Sequence, residues 1–111
     1  MRAFAIILLG LSGCATSAAG LADSKVEMTL TGARPPKVVA TCVADKLIGN
    51  NQLRDDGTNY WILRLNMYGF PVSRWDFKPD GNGGTVAELR ASLSINTGDE
   101  RVKACLINPA S

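Results

Sequence analysis

The sequence predicts an α+β fold: a small antiparallel meander sheet with two helices on one face, in the order β-α-β-β-β-α. Three observations predict it. Four segments alternate apolar and polar residues at the period of a strand. Two others repeat their apolar residues at helical spacing. Glycine- and proline-rich turns of a few residues divide them, as short antiparallel connections require.

Residues 25–31, KVEMTLT, turn Val26, Met28 and Leu30 to one side and Glu27 and Thr29 to the other, the pattern of a half-buried strand ended by Gly32. Pro35-Pro36 then suits the first turn of a helix, where a missing amide hydrogen costs nothing. In KVVATCVADKLIGN, residues 37–50, Val39, Cys42, Val43 and Leu47 share one face, and Gly49-Asn50 is a plausible stop. Residues 51–59, NQLRDDGTN, read as a polar loop with Asp-Gly turn chemistry.

The meander follows. Trp61, Leu63, Leu65 and Met67 alternate with Ile62, Arg64 and Asn66. Trp75 and Phe77 alternate with Arg74, Asp76 and Lys78, and Ala87, Leu89, Ala91 and Leu93 with Glu88, Arg90 and Ser92. One apolar face per strand fits an antiparallel sheet. Pairing Leu65 with Trp75, Leu63 with Phe77 and Arg64 with Asp76 puts bulky pairs inside and an ion pair outside, around a three-residue loop at Gly69-Phe70-Pro71. The turn PDGNGG, residues 79–84, closes the second hairpin, its glycines permitting positive φ. Thr97 and Glu100 have capping-box spacing before RVKACLINP, where Val102, Cys105 and Leu106 form a short stripe and Asn108-Pro109 ends the helix.

Composition narrows the chemistry. The chain of 111 residues has no histidine, which removes the commonest general base and metal ligand. Its net charge of +2 leaves no basic footprint for nucleic acid. Asp76 to Gly84, DFKPDGNGG, has a superficial calcium-loop look, but Lys78 stands at a ligand position and Pro79 follows, so a hairpin turn is the simpler reading. Its glycine amides could cradle an anion. The acidic pair Asp55-Asp56 reads as turn chemistry rather than a glycosidase pair. Ser73, Ser92 and Ser94 have no base to activate them. No catalytic, cofactor-binding or metal-ligating set emerges. Tyr60, Tyr68 and Phe70 are expected to cap the open edge of the core, with a surface for a partner as the alternative. The outward sheet face is expected to carry Arg64, Arg74, Lys78 and Arg90 against Asp76 and Glu88.

The N-terminus is the most specific feature. Arg2 precedes AFAIILLGL, residues 3–11, too short to span a bilayer and followed by small residues. Leu11-Ser12-Gly13-Cys14 resembles the lipobox of bacterial lipoproteins. The resemblance covers the first fourteen residues. It implies a signal peptide at 1–13, a diacylglycerol on the Cys14 thiol and acylation of the new amino terminus, palmitate-type chains that anchor without a transmembrane helix. The remaining chain then comprises a flexible tether at 14–24 and a single α+β domain at 25–111. Ordinary signal-peptidase cleavage after Ala19 or Ala22 is the competing outcome. Ala15 after the cysteine, in place of aspartate, implies the outer membrane facing the periplasm in a Gram-negative host.

Cysteine arithmetic agrees. With Cys14 lipidated, Cys42 and Cys105 remain as a pair in an oxidising compartment, each on the apolar stripe of a helix, and a disulfide between them is expected. The helix with VVATCV and its meander also resemble small proteobacterial or phage-borne lipoproteins, a likeness that brings no site residues. The function expected is a non-enzymatic, lipid-anchored envelope lipoprotein that needs no cofactor and binds a protein or cell-wall component at the membrane surface. The alternative is a lipid-anchored inhibitor or phage superinfection-exclusion factor. Lysozyme-inhibitor lipoproteins share the size, anchor and disulfide but are β-barrels with little helix.

Overall fold

Among the described residues, five strands lie in one open antiparallel sheet. The computed structural model describes residues 18–92 and 97–107. The chain runs α1 (Ala18–Ala22), β1 (Met28–Gly32), α2 (Pro36–Lys46), β2 (Asn50–Asp55), β3 (Tyr60–Leu65), β4 (Pro71–Pro79), β5 (Thr85–Ala91) and α3 (Asp99–Ile107). The sheet order is β1-β5-β4-β3-β2, so the α+β meander is as expected, with one strand and one short helix more among the described residues than the sequence predicts.

The additional strand is β2, from residues read as a loop. NNQLRD has a single large apolar side chain, Leu53, so alternation gives no signal. The strand forms because β3 offers a free edge: Asn50 to Asp55 pair in unbroken antiparallel register with Leu65 to Tyr60. An edge strand exposed on most of its length needs backbone partners more than an apolar face. Only residues 56–59 remain as the turn. There Asp56 Oδ1 accepts the amides of Thr58 (3.0 Å) and Asn59 (2.7 Å), and Asp55 Oδ1 accepts that of Gly57 (3.0 Å). The acidic pair is thus spent on its own turn. The Asn59 and Thr58 amides hold the Asp56 pKa below its ordinary 3.8. Because that pKa is depressed, the turn's contribution is present above pH 3.8 and is lost as pH falls through the lowered value. A carboxyl titration followed by NMR should give Asp56 a midpoint below 3.8; a midpoint at or above it would contradict the turn geometry.

The β3–β4 register corrects the expected one. Ile62 pairs with Trp75 and Tyr60 with Phe77, while Leu63 faces Arg74 and Trp61 faces Asp76. The expected pairs Leu65–Trp75, Leu63–Phe77 and Arg64–Asp76 are not made. Two physical causes act together. All four residues of YWIL are apolar, so burial can be satisfied with either face inward. The turn then decides. Asn66 Oδ1 accepts the amides of Tyr68 (2.9 Å) and Phe70 (3.0 Å), Gly69 takes φ +87°, and the register shifts at a bulge between Arg64 and Leu65. The connection is a locked loop at 66–70, not a three-residue turn.

One sheet face and the two longer helices enclose the core. Trp75, Phe77, Ile62, Ala87 and Leu89 from the sheet meet Val39, Val43 and Leu47 of the α2 segment and Val102 and Leu106 of α3. Helix α2 begins at Pro36 as the proline pair predicts and buries the expected Val39, Cys42 and Val43. It ends at Lys46, before the Gly49-Asn50 stop, because Leu47 turns extended to reach the core. The expected capping box is not formed. Trp75 Nε1 donates to the Thr97 carbonyl at 2.8 Å, and the helix starts at Asp99, with the Gly98 carbonyl accepting the Arg101 and Val102 amides at 3.0 Å. Gly98 holds φ +82°, and a Cβ there would stand 2.5 Å from Leu47 Cδ2, so glycine is required. Cys42 and Cys105 are bonded, with Cα atoms 5.8 Å apart, joining α2 to α3.

Helix α1 packs on β4 and β5, with the Leu21 side chain 1% exposed. Residues expected to be tether thus carry structure: Ser24 Oγ returns to the Leu21 carbonyl at 2.9 Å, and the Ser24 carbonyl accepts Arg90 Nε at 2.9 Å. The lone buried leucine in ATSAAGLADS has no periodic partner, which is why the segment reads as linker. Residues 11–14, Leu93, Ser94 and Asn108-Pro109 lie outside the described residues.

Candidate functional site

The sheet face away from α2 and α3 carries the charged cluster. Pairing fixes which residues share it: Arg74 and Arg90 with Leu63, Asp76 and Glu88 with Trp61, and Lys78 with Val86. Arg74, Lys78, Arg90, Asp76 and Glu88 are therefore on the outward face, as expected. Arg64 is not. The register change moves it to the helix side, where it donates to Asn51 Oδ1 (3.2 Å) and the Ile48 carbonyl (3.0 Å).

Asp76 is the centre of the cluster. Its residue is 6% exposed. Arg74 approaches from the same strand with Nη2 at 2.8 Å and Nε at 3.0 and 3.1 Å; Arg90 approaches from β5 with Nη1 at 3.1 Å. Lys78 stands 2.8 Å from Glu88, and Arg90 3.7 Å from the same carboxylate. Such charge-assisted forks fix guanidinium planes better than single contacts do. Arg74 also lies over the Trp61 ring, 4.9 Å from its centroid, a cation–π contact.

A hollow of about 340 Å³ opens here, between the sheet and the end of α1. Trp61, Arg74, Asp76, Lys78 and Arg90 form its floor; Asp56, Asn59 and Ala22 contribute to its rim. It combines a flat aromatic, fixed hydrogen-bond donors of both Arg and Asn type, and carboxylate acceptors. Such a surface can orient a polar ligand by hydrogen bonds and stack an apolar ring face. It has no nucleophile paired with a base. The sequence points to the charged residues but not to Trp61, Asn59 and Asp56 as their neighbours, because alternation places Trp61 in the core and residues 51–59 read as a polar loop. No periodicity in YWIL could have separated its two faces.

Other candidates resolve differently. A larger hollow, about 430 Å³, is lined by Ile48, Arg64, Gly98, Asp99, Glu100 and Arg101. Burial and the nearby Arg101 lower the Arg64 pKa from its usual value, but the guanidinium is already engaged. In the glycine turn at 80–84, Asp80 Oδ1 itself accepts the Asn82 (2.7 Å) and Gly84 (3.0 Å) amides. No group of three or more His, Cys, Asp or Glu able to hold a metal occurs among the described residues. Ser73 is buried and Ser92 bonds the Val72 carbonyl. Tyr60 packs against the core, whereas Tyr68 and Phe70 project from the hairpin and do not cap it. Comparison with protein-family models, curated proteins and solved structures gives no match.

Proposed function

We propose that this chain is a lipid-anchored, non-enzymatic envelope lipoprotein that binds a protein or cell-wall component through the outward sheet face. The observation that carries the proposal is the hollow at Trp61, Arg74 and Arg90, bordered by Ala22 of α1, the first described element after the lipobox-like sequence. Its charged groups hold one another in fixed positions, which suits recognition. A catalytic group would need a free pair of electrons or a mobile proton, and the chain has no histidine to provide either near neutral pH.

The fold also bears on where the chain is cut. Cleavage after Ala19 would divide α1, and cleavage after Ala22 would remove Leu21 from the sheet face it buries. Cleavage before Cys14 keeps both, which supports the lipobox reading. Cys14→Ser should release the protein from membranes or leave it unprocessed; a mature-sized, tightly membrane-held variant would contradict lipidation.

The binding reading is tested by a photo-crosslinking residue in place of Lys78, which lines the hollow and is 44% exposed in its side chain. Irradiation of intact cells should give a discrete adduct with an envelope protein or a muropeptide. A pattern identical to that from a crosslinker at Lys37, on α2 and across the sheet, would overturn the assignment.

A further inference from the structure

The two ends of the sheet differ in chemistry. At one end the turns 56–59 and 80–84, with Asp55 at the end of β2, expose Asp55, Asp56 and Asp80. At the other, the β3–β4 loop reads NMYGFPV from Asn66 to Val72, without a charge. Met67, Tyr68 and Phe70 are 86%, 78% and 58% exposed there. Ile48, also exposed, lies at this end beside Arg64. The loop is pre-shaped, since Asn66 binds the amides of Tyr68 and Phe70 and its own amide donates to the Phe70 carbonyl at 2.9 Å. An apolar hollow of about 320 Å³ continues from Phe70 and Pro71 to Ser92. Of the carboxylates near this end, Asp99 and Glu100 stand on the helix layer beside Lys103, with Arg64 and Arg101 alongside, and the exposed Glu27 lies next to Lys25 in the segment that leads into β1.

The chain feeds β1 from this same end: the Glu27 amide donates to the Leu89 carbonyl and Arg90 Nε to the Ser24 carbonyl, so residues 24–27 run alongside the strand ends that carry the hairpin. Four steps separate Cys14 from Ala18, at most about 14 Å of extended chain. We propose that the end of the domain built around Met67, Tyr68 and Phe70 seats in the interfacial layer of the bilayer that the lipid anchor enters. This rests on the lipoprotein reading above. The physical fit is specific: tyrosine favours the headgroup boundary, phenylalanine belongs to the apolar face that interfacial segments bury, attachment grows with the apolar area buried, and the acidic turns point away. Seating this end also leaves the outward sheet face standing beside the membrane, open to a partner.

The test uses the processed, acylated protein reconstituted in phosphatidylcholine vesicles whose acyl chains are brominated near the headgroup. Tyr68→Trp provides the reporter, and Thr58→Trp, in the acidic turn, the reference. The Tyr68→Trp variant should add emission that is blue-shifted and mostly lost to bromine, while emission added by Thr58→Trp stays water-exposed and unquenched. Unquenched emission from both in vesicle-bound protein would overturn the seating and leave the anchor intact. Equal quenching of both would also overturn it. Emission from Tyr68→Trp that is open in vesicles but shielded in native membranes would assign the hairpin to a protein partner instead. Protein that carries no acyl chain and stays off the vesicles would refute the anchor itself.

Discussion

Replacing Cys42 and Cys105 together with alanine lowers the stability of the domain by about 4 kcal/mol, the chain-entropy value for a loop of this length. The bond joins residues 63 apart, and both cysteines lie in the core cluster. Its loss frees α3, a nine-residue helix too short to persist without tertiary support. What would still hold that helix is the burial of Val102 and Leu106, the Trp75 bond to Thr97 and the Arg34 Nη1 bond to the Cys105 carbonyl at 2.8 Å. Small domains have total stabilities of about 5–15 kcal/mol, so the change is a large part of the whole. In a domain of this size it should lower Tm by about 15–30 °C, measured by thermal unfolding of the double variant. Amide exchange should rise first in α3. A fall of less than a few degrees, or exchange rising uniformly over all elements, would show that the bond does not carry this load.

The disulfide was legible in the sequence because two signals coincided: a cysteine count that left one pair, and apolar stripes that aimed both members inward. Helix α2 was legible for the same kind of reason, with Pro36 setting its start and Val39, Cys42 and Val43 its buried face. The β3 facing was not, since Tyr60, Trp61, Ile62 and Leu63 are all apolar and the choice fell to side-chain capping by Asn66 and a bulge. Strand β2 was invisible because its formation depends on the edge of β3 rather than on its own residues. Helix α1 depends on one leucine. The outward site was half visible: alternation placed Arg74, Asp76, Glu88 and Arg90 together, but the residues that turn a charged face into a concave one, Trp61 and Asn59, follow from register and from the Asp56 turn.

That charged face also gives the second large effect. Asp76→Ala should destabilise the domain by about 3 kcal/mol, the lower part of the range for removing one partner from a buried ion pair. The lower part applies because the arginine side chains are 16% exposed and water can reach part of each guanidinium. Alanine leaves Arg74 facing Arg90 with no carboxylate between them, and only Glu88, at 3.7 Å from Arg90, to compensate. Replacing the whole unit, with Arg74→Met, Asp76→Leu and Arg90→Met, should restore most of the loss, because an apolar trio needs no desolvated partner. Urea unfolding of both variants measures the contrast. A cost below about 1 kcal/mol for Asp76→Ala would place the cluster with ordinary surface ion pairs. The triple variant carries the functional consequence. It should fold, fractionate as the parent protein does and fail to form the adduct seen from position 78, because the floor of the hollow would have lost its donors while Trp61 remained. If it binds as before, the cluster serves folding alone and recognition belongs elsewhere on the domain.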